Sequence, residues 1–352
     1  MSRMLLATAG AFVVSTSVAW AECSPESWHD CAGKPWVDGD KMETPLGSQW
    51  WPNQLWGEGD EAGSTNWYTK PEVVLSAIAQ IKEGKTYKLG HEYHADMPFF
   101  GPRKFLLRIP ATPTGGPFGA AKVIYHDEFL ATEIGQVGTQ FDGLGHIGIQ
   151  IGEDGDRSKM RFYNGFIESE FATGYGLTKL GTEKLHPIVA RGILLDIAGA
   201  RGVEVLEKGD CASMDDVRAA LEKQGMAGFE FEEGDAILFR YGWEKYWEDP
   251  AAFNDGSPGI CMETARWIAE DVKAGVTGGD TWNATDPVPY PDEPGCIFCV
   301  HPYLQTRHGI VNQENLRLTQ LVDDGTFVFA YIYSPVPIRG ATGSTGSPIA
   351  IK

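Results

Sequence analysis

Strand-forming runs recur along this chain without a regular partner helix between them, and that spacing restricts the possible folds more than any other feature. β-Branched and aromatic residues cluster at 86–89, 105–109, 122–125, 188–197, 236–241 and 327–333. Helical periodicity is confined to a few stretches. Val74, Ile78 and Ile81 share one face of a helix over 71–82 that opens on Pro71 and stops at Gly84. Further helices are expected at 214–224, at 262–274, and from an N-cap at Asn312 to about Leu321. Such a mixture, with no internal repeat, predicts a single mixed α/β or α+β domain and not a regular βαβ array. The 352-residue length also allows two domains, and composition does not choose between them.

Hydrophobic residues make up 42% of the chain and charged residues 22%, the profile of a folded protein. Acidic residues outnumber basic ones by 48 to 29, for a net charge of -19. A surface of that sign repels phosphate backbones and anionic lipid, so nucleic acid and membrane are not expected partners. Arg3, the apolar stretch from Leu5 to Val14 and the small-x-small site Ala19-Trp20-Ala21 read as a secretory signal peptide over 1–21. The stretch is too short and too interrupted to span a bilayer. Export to the periplasm follows, where disulfides can persist. Cys23 and Cys31 are the expected pair, while Cys296 and Cys299 lie in a Pro- and Gly-rich loop that lacks the setting of a redox motif. Residues 22–55 read as an irregular arm whose tryptophans serve as packing anchors or as a carbohydrate platform, and 340–348 as a surface loop or tail.

The densest polar cluster is Gln136-Val-Gly138-Thr139-Gln140-Phe-Asp142-Gly-Leu-Gly-His146. A carboxylate, an imidazole and two amides fall among three glycines, which let backbone approach a bound ion or substrate closely. Taken alone, the spacing equally suits a tight loop in which Asp142 caps a turn and His146 satisfies one hydrogen bond. A second cluster joins His301 to Glu314, and there the bland reading is a loop histidine and a glutamate complementing a helix dipole. His91 and His94 have metal-pair spacing but no accompanying carboxylate motif, and His308 has no better claim. Nucleotide-binding glycine motifs and a Gly-x-Ser-x-Gly elbow are missing.

The run Trp56-Gly-Glu-Gly-Asp60-Glu-Ala-Gly-Ser-Thr-Asn66 resembles the N-terminal signature of the cyclase family of metal-dependent hydrolases, which includes bacterial kynurenine formamidase and isatin hydrolase. Further echoes follow in the family's order at Gly192–Asp196, Gly234–Trp243, Ser257–Gly259, Gly279–Thr281 and His301–Leu316. The resemblance implies a cyclase-type swivelling β/β/α domain over 56–352. The family's central pattern is His-x-Gly-Thr-His-x-Asp-x-x-x-His. By that match Asp142 is a metal ligand, His146 acts in proton transfer, and His301 with Glu314 complete the ion's shell. Gln136 and Gln140 stand where the family has two metal-binding histidines.

An amide oxygen is neutral and a poorer donor to zinc than imidazole, so a site of Asp142, Glu314, His301 and one or both glutamines is richer in oxygen. One divalent ion is expected, with Mn²⁺ ahead of Zn²⁺. The implied reaction is hydrolysis of a small amide, cyclic amide or lactone, with His146 as general base and acid. Phe99, Phe100, Phe141 and Trp282 are candidates to flank a cyclic substrate. A homo-oligomer is implied by the same resemblance. The two glutamines motivate an alternative, a metal-poor periplasmic protein that binds a small molecule in the same pocket.

Overall fold

The computed structural model describes residues 43–44, 46–152, 154–289 and 297–352. The signal peptide, most of the N-terminal arm, and Cys23, Cys31 and Cys296 lie outside the described residues. Nine strands form one mixed sheet: β1 (Thr86–Lys88), β2 (Gln140–Asp142), β3 (Ile188–Asp196), β4 (Ala236–Arg240), β5 (Val276–Gly279), β6 (Val311–Glu314), β7 (Val328–Tyr333), β8 (Gly343–Thr345) and β9 (Ile349–Ile351). Their order across the sheet is β8-β2-β6-β5-β4-β3-β7-β9-β1. The four central strands β6, β5, β4 and β3 run parallel, and every outer pairing is antiparallel.

Strands buried on both faces need continuous apolar sequence, and β3 and β4 supply it. Leu194 and Leu238 pack on one side of the sheet with Phe141, Phe329 and Tyr331. Ile193, Leu195, Ile237 and Phe239 pack on the other, beneath the helices α2 (Met214–Lys223) and α3 (Met262–Arg266), the latter continuing as a π-helical turn over Trp267–Val272. Ser213 and Asp216 close a capping box on α2. The helix opened by Pro71, α1, forms over Pro71–Ile78. Arg191 on β3 reaches across to Asp235, at the entry to β4, through two hydrogen bonds of 2.9 and 2.7 Å.

Two sequence expectations are corrected here. Asn312 does not cap a helix. Residues Val311–Glu314 are β6, fully buried, and the helix that follows is confined to Thr319–Asp323. Pairing with β5 and β2 outweighs local helix propensity, because every residue of the strand gains a ladder partner and Asn312 and Gln313 gain one on each side. The Gly- and Ser-rich segment near 340 is not a tail either. Its core, β8, forms the sheet edge against β2, and a side chain at Gly343 would meet the Phe141 carbonyl oxygen at 2.7 Å. Small residues there permit close approach; they do not signal disorder.

Cys211 and Cys261 form a disulfide that spans 50 positions and ties the approach to α2 to the start of α3. Cys299 is disulfide-bonded as well. Closing a 50-residue loop restricts the unfolded chain by up to about 4 kcal/mol. Replacing both Cys211 and Cys261 by Ser should lower stability by about 2–4 kcal/mol in denaturant unfolding; an unchanged midpoint would show that the bridge adds nothing.

Candidate metal centre

The register of β2 against β6 places Asp142 opposite Asn312 and Gln140 opposite Glu314. Side chains two apart on a strand share a face and directly opposed residues are neighbours. Four polar groups therefore meet on one face, while Phe141 points to the core on the other. All four are buried. His301 reaches the same patch from the start of the π-helical turn Pro302–Arg307, and its ligand nitrogen and the carboxylate oxygens of Asp142 and Glu314 lie within 4.8 Å of one another. Among the described residues this is the one His/Cys/Asp/Glu group with metal-binding geometry.

Each ligand is held by a neighbour. His301 Nε2 lies 3.0 Å from Glu314 Oε1 and 3.7 Å from Asp142 Oδ2, and its Nδ1 faces Asp286 Oδ2 at 2.5 Å. Asp286 is itself anchored by the backbone N–H groups of Val300 and His301, at 2.8 and 3.0 Å. A carboxylate behind an imidazole in this way fixes which nitrogen is presented to an ion. Gln136 donates to Asp142 Oδ1 at 2.8 Å, Gln140 donates to Glu314 Oε2 at 2.5 Å, and Asn312 donates to Glu314 Oε1 at 3.0 Å. Arg103 holds the Gln136 oxygen at 3.2 Å. Both glutamines thus turn their N–H₂ groups toward carboxylates.

Electrostatics favour an added cation. Burial raises the Asp142 carboxyl, but His146, His301 and the Gln136 amide outweigh it and hold the group down at about 2. Burial and the Asp142 charge push Glu314 up to about 8. Burial opposes protonation of His301, yet the nearby Asp142 carboxylate and hydrogen bonds to Asp286 and Glu314 raise it well above the usual histidine range. The cluster attracts positive charge and satisfies the demand with protons. Asp142 Oδ2 remains buried with no hydrogen-bond partner, as does Asn312 Oδ1. A buried orphan carboxylate oxygen beside an imidazole nitrogen and a second carboxylate fits a first-row divalent ion. Three protein ligands is also the number that a catalytic ion retains when it leaves a position open.

His146 stands next to this cluster, its Nε2 3.8 Å from Asp142 Oδ2 and its Nδ1 3.3 Å from the Gln136 amide. That amide donates, so the neutral ring carries its proton on Nε2 and keeps a lone pair on Nδ1. Burial lowers the His146 pKa against the pull of Asp142, with His301 and Arg103 adding to the lowering, so the ring is neutral at pH 7. A cavity of about 130 Å³ opens over the group, lined by Gln136, Gln140, Asp142, His146, His301 and Glu314, with Phe100, Trp282 and Phe298 among its apolar walls. The Phe100 and Trp282 rings stack at 4.3 Å.

Sequence reasoning singled out six polar residues, Gln136, Gln140, Asp142, His146, His301 and Glu314, and all converge on this cavity. Of the four aromatic candidates, Phe100 and Trp282 do so. Phe141 lies in the core, and Phe99 packs against the apolar cluster that contains Trp282 without lining the cavity. His91 and His94 line another cavity with Glu244 and Trp247, and His308 sits 4.0 Å from Glu270. Asp286, Asn312 and Arg103 escaped the sequence reading. Asp286 sits in no motif, and Asn312 was hidden by the mistaken helix; only strand pairing of 311–314 with 140–142 would have shown its place.

The Cyclase family model matches residues 87–286. A crystal structure of a novel cyclase superposes with a TM-score of 0.70 at 28% identity, over 84% of this chain and 98% of that one. Isatin hydrolase A from Ralstonia solanacearum gives 0.55 at 18% identity, over 81% of this chain and 99% of that one. Isatin hydrolase A from Labrenzia aggregata, bound to benzyl benzoate, gives 0.51 at 20% identity over 76% and 93%. The last two likenesses establish a common fold. No curated protein matches by sequence. With the family match covering more than half its length and the fold shared throughout, the chain belongs to the cyclase family.

Proposed function

We propose that this protein is a metal-dependent hydrolase of a small cyclic amide, amide or lactone. The observation that carries the reading is the convergence of Asp142, His301 and Glu314 beside His146, with Asp142 Oδ2 left without a partner. Family membership and the isatin hydrolase fold support it, and isatin hydrolases point toward cyclic substrates. Asp142, His301 and Glu314 would hold the ion. A divalent ion bound there would supply a water of lowered pKa and polarise a substrate carbonyl. Two carboxylate oxygens and one imidazole make a harder set than a three-histidine site, which favours Mn²⁺ over Zn²⁺.

The chain's own residues supply the rest. His146, neutral and 26% exposed, stands beside the ion site, accepts a proton from the attacking water and returns it to the leaving nitrogen or oxygen. Gln136 orients that ring and neutralises one lone pair of Asp142, so that Oδ2 is directed to the ion. The stacked Phe100 and Trp282 offer a flat apolar wall to a planar ring. Asp286 fixes His301 with Nε2 inward. The Cys211–Cys261 bridge supports an exported protein, in keeping with the leader read at residues 1–21.

The test is a hydrolysis screen over small amides, cyclic amides and lactones with Mn²⁺, with Zn²⁺ and with chelator. Turnover that chelator abolishes and Mn²⁺ restores is expected; saturable binding of the same compounds without turnover would favour the binding-protein alternative. His146→Ala should reduce kcat by roughly 10²–10⁴ while Mn²⁺ content stays near wild type, and full activity in that variant would remove the assigned role. Asp286→Ala should weaken Mn²⁺ binding by roughly 10–100-fold in a calorimetric titration; an unchanged Kd would show that Asp286 does not position His301.

A further inference from the structure

Arg103 reaches the cavity over Asp142, His301 and Glu314 with no anionic partner. Among the described residues that line the cavity it is the single Lys or Arg. Its guanidinium donates to the Phe100 carbonyl oxygen at 3.3 Å and to the Gln136 amide oxygen at 3.2 Å, both neutral. It also lies 5.4 Å from the centre of the Phe100 ring, which stacks on Trp282. Among the described residues no carboxylate forms an ion pair with it, and Glu133 accepts from the Lys104 N–H at 2.9 Å instead. Arginines that pack into the fold elsewhere are matched, Arg191 by Asp235 at 2.7 Å and Arg240 by Asp196 at 2.8 Å. A carboxylate partner is the default in a chain with 48 acidic residues against 29 basic ones, and here neutral oxygens take its place. Asn283 is a second uncommitted donor on the same lining. It is buried, Ser257 Oγ donates to its amide oxygen at 3.3 Å, and its Nδ2 has no partner.

We propose that Arg103 selects substrate charge: the substrate is a small planar-ring amide or lactone that carries a carboxylate, and this carboxylate pairs with Arg103. The inference rests on the hydrolase reading and names its substrate class. A guanidinium offers five N–H donors in one plane, and a carboxylate can take two of them side by side. Two of the Arg103 donors serve neutral oxygens, which leaves others for a ligand. The charge stands beside the Phe100–Trp282 pair, so one ligand can lay its ring on the aromatic wall and its anion on the guanidinium. Size agrees, since a cavity of about 130 Å³ is close to the roughly 150 Å³ that admits benzene. Charge balance makes the residue necessary. Asp142, Asp286 and Glu314 set three carboxylates around His301, of whose charge a divalent ion offsets two parts in three. Arg103 supplies the remaining positive charge, and without it an anionic ligand meets a net negative site. The overall charge of -19 matters less at this range, because salt screens exposed charges beyond about 8 Å.

Calorimetric titration of benzoate, and of its neutral counterpart benzamide, into the full chain supplied with Mn²⁺ tests the assignment. The wild type should bind benzoate roughly 10–100-fold more tightly than benzamide; equal affinities overturn the proposal whatever the variants do. Arg103→Met should abolish that preference by weakening benzoate alone, and Arg103→Lys, which keeps the charge but loses the planar fork, should retain part of it. A residue that only braces Gln136 would weaken both probes alike in both variants. A preference that survives Arg103→Met would assign the anion to the metal ion. Either result contradicts the proposal. Mn²⁺ uptake measured on the same samples separates this inference from the reading beneath it, and the benzoate-to-benzamide ratio is obtained in both cases. A wild type that takes up no Mn²⁺ counts against the hydrolase, whereas one that holds Mn²⁺ and shows no preference for benzoate counts against Arg103 alone.

Discussion

The antiparallel register between Gln140–Asp142 and Asn312–Glu314 is the constraint on which the site depends. It sets two strand segments 170 positions apart side by side and forces alternate residues of each to one buried face. Two carboxylates then share a dry pocket with a third, Asp286, behind a single histidine. Buried carboxylates in such number are unfavourable unless positive charge offsets them. Glu314 accordingly rises to about 8 and His301 holds its proton. A chain under no demand for a cation would gain by replacing Asp142 or Glu314 with something neutral.

The two glutamines become intelligible in this light. The Gln136 amide oxygen is turned to Arg103. Gln136 and Gln140 donate N–H groups to the outer oxygens of Asp142 and Glu314, and Arg103 keeps Gln136 in that orientation. Where the family pattern has two histidines, this chain has two donors that brace the carboxylates. The core of the centre shifts toward the Asp-His-Glu triad, whose position the β2–β6 register and the Asp286 anchor determine.

Much of this was legible in the sequence because the parts that carry chemistry also carry pattern. The apolar runs of β3, β4 and β7 have strand composition, Pro71 marks a helix start, and Asp142 with His146 sits among glycines in a recognisable order. What escaped detection depends on contacts between distant segments. Val311–Glu314 has the look of a helix start until β2 and β5 flank it, and Gly343–Thr345 has the look of a tail until it is seen to close over Phe141. Asp286 carries no local signal at all, since its role comes only from lying under His301. The Cys211–Cys261 pairing likewise needed two short strands, Cys211–Ala212 and Gly259–Ile260, to meet.

The central claim is that Asp142, His301 and Glu314 together grip one divalent cation. Calorimetric titration of Mn²⁺ into chelator-treated protein, run in parallel with Asp142→Asn and Glu314→Gln, addresses it directly. The account predicts one ion per chain in the wild type and loss of that binding in both variants. No binding of Mn²⁺ or Zn²⁺ by the wild type, or one equivalent retained in both variants, would contradict it.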